Sequence, residues 1–104
     1  LAALLVELLY TFALCLVVLN AATSSRTQGN SFYGLAIGFT FVVAAFAGGP
    51  ISGGAFNPAV GVGPTVVNAM LGSGSFQHLW LYVVGPLLGG VIAAAVFRVQ
   101  EREA

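Results

Sequence analysis

The side chains that could do chemistry in this chain are few and far apart. They are one carboxyl group inside an apolar run, Glu7; one thiol, Cys15; one imidazole, His78; and a carboxamide set among glycines and prolines, in Ser52-Gly53-Gly54-Ala55-Phe56-Asn57-Pro58-Ala59-Val60-Gly61-Val62-Gly63-Pro64. The last of these carries the most information. Asn57 has the side chain of a helix N-cap, and Pro58 occupies the first helical position, where its fixed φ is preorganised and its missing N–H is not needed. A helix is therefore expected from about Pro58 toward Asn68 or Met70. Such a start directs unsatisfied backbone N–H groups and a partial positive charge at whatever lies before it, a field that repels cations and protons. The Asn57 amide can donate to a small polar molecule there. The carbonyls of Gly53, Gly54, Ala55 and Phe56 can accept, because the glycines leave the backbone uncovered.

The other candidates have plainer readings beside the chemical ones. Glu7 at membrane depth would cost about 2.5–3.5 kcal/mol unless partnered, so it is either a structural acceptor or, in a transporter, a proton relay. Cys15 has no second cysteine to pair with and packs as a small apolar side chain. His78 and Trp80 stand where interfacial anchors belong. Gly34-x-x-x-Gly38 and Gly85-x-x-x-Gly89 permit close helix contact, and Tyr10 and Phe12 fit a lipid-facing or core role better than a solute-binding one.

The elements that must position these residues are apolar. Of 104 residues, 59% are hydrophobic and only 6% are charged, against about 25% charged in soluble domains. The mean hydropathy of +1.00 means that the outside faces lipid. Three segments, 1–22, 32–47 and 78–99, are long enough to cross a bilayer core of about 30 Å as helices. The polar run Thr23 to Ser31 between the first two must be an aqueous turn, and Arg98 to Ala104 forms a charged tail. Segment 48–70 is apolar but broken by repeated glycines and prolines. It reads as a re-entrant loop, an extended stretch followed by a half-length helix. The fold class is thus an all-α membrane protein, three spans plus one half-helix. With three crossings, Arg26, Arg98 and Arg102 fall on one side, which the positive-inside rule puts in the cytoplasm; dual topology is the alternative that so weak a bias leaves open. A net charge of zero leaves no basic patch for nucleic acid, and the partner implied is the lipid bilayer of a cell membrane.

Residues 52–64 resemble the Asn-Pro-Ala pore loop of the aquaporin, or major intrinsic protein, family. Three further stretches agree. Glu7-x-x-x-Thr11-Phe12 resembles the family's acidic residue and Thr-Phe pair, Tyr33 to Phe39 the start of its fifth span, and Trp80 to Gly90 its sixth. Four ordered matches cover essentially the whole chain, as the C-terminal half of the family's fold. The resemblance implies that Asn57, Pro58 and Ala59 form a pore motif, that the backbone of Gly53, Ala55 and Phe56 lines the pore, and that Glu7 holds the loop by accepting hydrogen bonds from its backbone. It also implies selectivity-filter positions at Ala45, Gly54 and Val60.

Two departures from the family matter. Most members carry arginine where Val60 stands, and many water-specific ones carry histidine where Ala45 stands, so the constriction on this half is expected to be apolar and wide. Only one half is present, whereas the fold needs two inverted three-span repeats. The chain begins at Leu1 and its only methionine is Met70, so the expectation is that something N-terminal is left out. The second half would be that missing N-terminal half or an inverted copy of this chain, with pores gathered in a fourfold homo-oligomer. The expected function is a passive channel for water and small neutral solutes, with no enzyme activity, metal or cofactor. The alternatives are a non-conducting assembly module and a secondary-transporter fragment with a broken helix.

Overall fold

The computed structural model describes residues 1–72 and 74–102; residues 103 and 104 of the expected charged tail lie outside them. Four α-helices appear, and there is no strand among the described residues. Helix α1, Ala2–Val18, is continued by a π-helical turn, Leu19–Thr23. A short 3₁₀ turn, Ser25–Thr27, leads to α2, Tyr33–Ser52. Helix α3, Pro58–Met70, is the half-length element, and α4 runs Leu79–Arg102. Three helices, Ala2–Thr23, Tyr33–Ser52 and Leu79–Arg102, are long and apolar enough to cross a membrane. At about 1.5 Å per residue, the 13 residues of α3 reach only part of the way.

The second helix differs from its expected end at residue 47. It runs on to Ser52, so Gly48, Gly49 and Pro50 are helical and the extended stretch is shorter. Gly48 is a glycine for lack of space: a Cβ there would lie 2.8 Å from Val6 Cγ1 and 3.0 Å from Phe56 Cζ. Pro50 costs the helix one hydrogen bond, a loss that packed membrane helices tolerate. The true stop is Gly53, whose φ of +93° suits glycine and whose N–H donates to Gly49 O at 2.8 Å, a left-handed C-terminal cap.

Little of the interior is large and apolar. The buried hydrophobic residues are Ala21, Ala44, Ala55, Phe56, Leu81 and Ala93. Helices α1 and α4 instead approach through small residues, as helices do where lipid removes the hydrophobic drive between them. Gly85, Gly89 and Ala93 are buried along one face of α4. A Cβ on Gly85 would stand 2.9 Å from Glu7 Cβ, and one on Gly89 would overlap the Leu8 carbonyl oxygen. Buried Thr11 lies against Gly89, and its hydroxyl makes no hydrogen bond among the described residues. Leu35, Phe39, Val42 and Phe46 stay exposed along α2, a lipid-facing surface.

The polar turn closes the other end of the bundle. Thr27 Oγ1 donates to Asn20 O at 2.5 Å and Asn30 Nδ2 to Ala21 O at 2.8 Å, satisfying carbonyls that the end of the first span leaves open. Asn20 Nδ2 reaches Gln100 Oε1 at 3.0 Å, and Glu101 accepts from Ser24 Oγ at 2.5 Å and from Arg26 at 3.2 Å. These contacts join the end of the first span to the end of α4.

Gly89→Ala should force α1 and α4 apart and lower stability by about 1–3 kcal/mol. Gly90→Ala, whose new Cβ would meet nothing nearer than Cys15 Sγ at 3.9 Å, is the matched control. Thermal unfolding in detergent should separate the two; equal melting temperatures would contradict the close approach.

Candidate functional site

The site is the five-residue link from 53 to 57 between the end of α2 and the start of α3. Its conformation is costly by itself. Gly53, Gly54 and Phe56 all have positive φ, +93°, +73° and +52°, and for a phenylalanine that region costs about 1–2 kcal/mol. What holds it is Glu7. This side chain is fully buried in α1, and its two oxygens take separate partners: Oε1 accepts from the Phe56 N–H at 2.9 Å and Oε2 from the Ser52 hydroxyl at 2.5 Å. Ser52 Oγ in turn accepts from the Gly54 N–H at 3.1 Å. One carboxyl group thus governs both ends of the link, directly at Phe56 and through Ser52 at Gly54.

The ring of Phe56 completes the anchor. It is 2% exposed, tilted against Tyr10 with centroids 5.7 Å apart and edge-on to Phe41 at 6.4 Å. It occupies the space that Gly48 vacates between α1 and α2. Burial of an aromatic side chain is worth about 1.5–3 kcal/mol, enough to offset its backbone strain.

With Phe56 turned inward, Asn57 faces out. Its φ of −161° is extended, its Oδ1 accepts from the Ala59 N–H at 2.8 Å, and its carbonyl receives the Gly61 N–H at 3.0 Å. The amide is exposed, and with Oδ1 engaged in the cap its Nδ2 is the group that can donate. Pro58 is half-buried as the first helical residue, and Ala59 and Val60 are exposed. Glu7 lies about one and a half turns into α1 and its neighbour Gly85 about one and a half turns into α4, so the start of α3 is held within the length of the spanning helices.

Gly53, Gly54, Ala55 and Val60 line one groove of about 270 Å³ with Gly61, Pro64, Thr65, Asn68 and Tyr82. Gly54 and Val60, two of the three expected filter positions, are brought together there. Ala45 is not; it is half-buried on α2 and outside the groove lining. Among the described residues, no charged side chain lines this groove.

Ser52 and Tyr82 also belong to the site, although the pore motif itself assigns neither a role. The Tyr82 hydroxyl donates to the Ser52 carbonyl at 2.5 Å. A signal for each exists in the sequence: Ser52 stands two residues before Gly54, the spacing at which a serine oxygen accepts a backbone N–H, and Tyr82 shares a helical face with Gly85 and Gly89.

Three apolar spans, a half-length helix starting among them and a buried carboxyl holding its approach define an integral membrane protein with a broken-helix site. The family model described as Major intrinsic protein matches residues 1–97. Over 95 residues the chain is 39% identical to "Putative aquaporin NIP4-1" of Arabidopsis thaliana, covering 91% of this chain and 31% of that protein. It is 34% identical over 93 residues to "Nodulin-26" of Glycine max, with 89% and 32% covered, and 40% identical over 92 residues to "Probable aquaporin TIP2-2" of Arabidopsis thaliana, with 88% and 35% covered. No solved structure matches it. The chain belongs to the major intrinsic protein family, and it spans about a third of the length of the curated relatives it matches.

Glu7→Leu should leave the Phe56 N–H without its partner and cost about 1–3 kcal/mol, while Glu7→Gln, which keeps an acceptor oxygen, should cost less. The ranking wild type, Gln, Leu in detergent melting temperature is the expected outcome. Three equal values would mean that the carboxyl does not hold the link.

Proposed function

We propose that this chain forms one half of a passive pore for water and small neutral solutes. The observation that carries the reading is the outward-facing Asn57 amide at the N-terminus of α3, held between the ends of the spanning helices. A polar group in that position, beside backbone of the 53–57 link, is tolerated at membrane depth only where it lines a water-filled cavity or meets protein. The positive end of α3 disfavours cations, and the amide donates to a passing oxygen. No step in this mechanism is covalent. The family relationship supports a channel at the coarse level, and Val60 supports the wider solute range, since it puts no fixed charge and no donor beside Gly54.

The second half would be an N-terminal repeat or an inverted copy of this chain, and the completed pores would gather in fourfold assemblies, with the Arg26 turn and C-terminus cytoplasmic. The groove along α3 is the face that such a partner would close. A transporter reading asks Glu7 to exchange protons with a substrate path; its full burial and its two bonds to the link favour the structural role instead.

Stopped-flow swelling of proteoliposomes tests the reading. Asn57→Leu should insert normally and bring water flux down to near that of empty liposomes; unchanged flux would refute a pore at this motif. In the same assay Val60→Arg should cut glycerol permeation more than water permeation. An unchanged glycerol-to-water ratio in a normally assembled Val60→Arg protein would refute the assignment of Val60 to the filter.

A further inference from the structure

Two of the three arginines have no use within the bundle. Arg26 pairs with Glu101 at 3.2 Å, and Glu101, which also accepts from Ser24, is thereby turned toward the end of the first span. Arg98 and Arg102 make no ion pair and no side-chain hydrogen bond among the described residues. Both are exposed, and four residues apart they stand one above the other on a single face of α4. Like charges at that spacing repel. The C-terminal end of a helix favours cations, which offsets part of the repulsion, but Glu101, three residues from Arg98, is engaged elsewhere.

The face itself has a pattern. Val84, Leu88, Val91, Ala95, Arg98 and Arg102 follow one another in alternating steps of four and three residues, the spacing of one helical stripe, and all six are exposed. Buried Gly85, Gly89 and Ala93, which face α1, lie on another side of the helix. Tyr82, through which α4 meets α3, lies on the far side from Arg102. The stripe is therefore apart from the groove beside Asn57. From Trp80 to Arg98 is 18 residues, about 27 Å of helix and close to the thickness of a bilayer's hydrocarbon core. With Trp80 at one interface, Arg98 reaches the headgroup level of the other leaflet, and Arg102 lies one turn further out.

A ligand for this face has to bring a negative charge to the two guanidiniums and an apolar chain to the stripe below them. A phospholipid of net negative charge does both. Its phosphate oxygens suit the forked donors of arginine, and its acyl chain has Val91, Leu88 and Val84 to lie on. A zwitterionic lipid would carry its own ammonium to the same two cations.

We propose that the Arg98 and Arg102 face of α4 is a binding site for an anionic phospholipid, with the phosphate held by both guanidiniums and an acyl chain along Val84, Leu88 and Val91. The site stands on the membrane-spanning character of α4 and does not depend on the pore reading above.

The test titrates the assembled protein in detergent with phosphatidylglycerol or with phosphatidylcholine of the same chains, and counts bound lipid by native mass spectrometry. Phosphatidylglycerol should bind about thirtyfold more tightly, the factor expected from two arginines near a headgroup. Arg98→Gln and Arg102→Gln should each weaken phosphatidylglycerol about fivefold, and together bring it to the level of phosphatidylcholine. Arg98→Lys with Arg102→Lys, which keeps the charge, should retain most of the preference. Raising salt from about 0.1 to about 0.5 M should narrow the gap in the wild type, a readout that needs no variant to fold. Equal affinity for the two lipids, a preference indifferent to salt, or wild-type affinity in the double glutamine variant would overturn the site. So would assembled protein that takes up no phosphatidylglycerol, since the face would then be covered by protein. Displacement of the lipid by inorganic phosphate at millimolar concentration would assign the arginines to a free anion and overturn the lipid.

Discussion

A buried carboxyl group must be given partners, and the site follows from which partners Glu7 has. At 0% exposure among apolar helices, its two oxygens would be expensive to leave unmatched. They take the Phe56 N–H and the Ser52 hydroxyl, and the strained 53–57 link is the shape that delivers both. Phe56 accepts a left-handed backbone because its N–H and its ring are both satisfied there. Asn57, the next residue, is thereby turned outward at the head of α3. The exposed amide is a consequence of the buried acid one residue and one helix away.

That arrangement needs helices that touch backbone to backbone. Glu7 stands opposite Gly85, Leu8 opposite Gly89, and Phe56 fits where Gly48 has no side chain. In a lipid setting small residues and hydrogen bonds, more than buried apolar area, hold helices together, and the short roster of buried hydrophobic side chains agrees with that. Glycines therefore serve three separate purposes here: close approach at 48, 85 and 89, positive φ at 53 and 54, and clearance for Tyr82 at 53 and 61.

Much of this was legible in the residues. Apolar run length marks the three long helices, and Asn57-Pro58 marks the start of α3, because capping and proline geometry are local properties. The end of α2 was not legible in the same way. Gly48-Gly49-Pro50 looks like a break when propensity is counted, but Gly48 answers to the Phe56 ring and Val6, which are distant in sequence or on another helix. The true break, Gly53, differs only in φ. Ser52 and Tyr82 escaped for a related reason: a serine beside glycines and a tyrosine in an apolar helix acquire their roles from a hydrogen bond 30 residues apart in sequence. Ala45 lies half-buried on α2, outside the lining of the groove, and no local feature of the sequence gives its facing.

The central claim is that Glu7 fixes the link so that the Asn57 amide meets water inside the membrane. An experimental density map of the assembled protein in lipid, at a resolution that places ordered waters, tests it most directly. The account predicts a water about 3 Å from Asn57 Nδ2, with Glu7 bridging Ser52 Oγ and the Phe56 N–H beneath it. An Asn57 amide packed against apolar side chains with no water in reach, or a Glu7 turned away from the link, would contradict it.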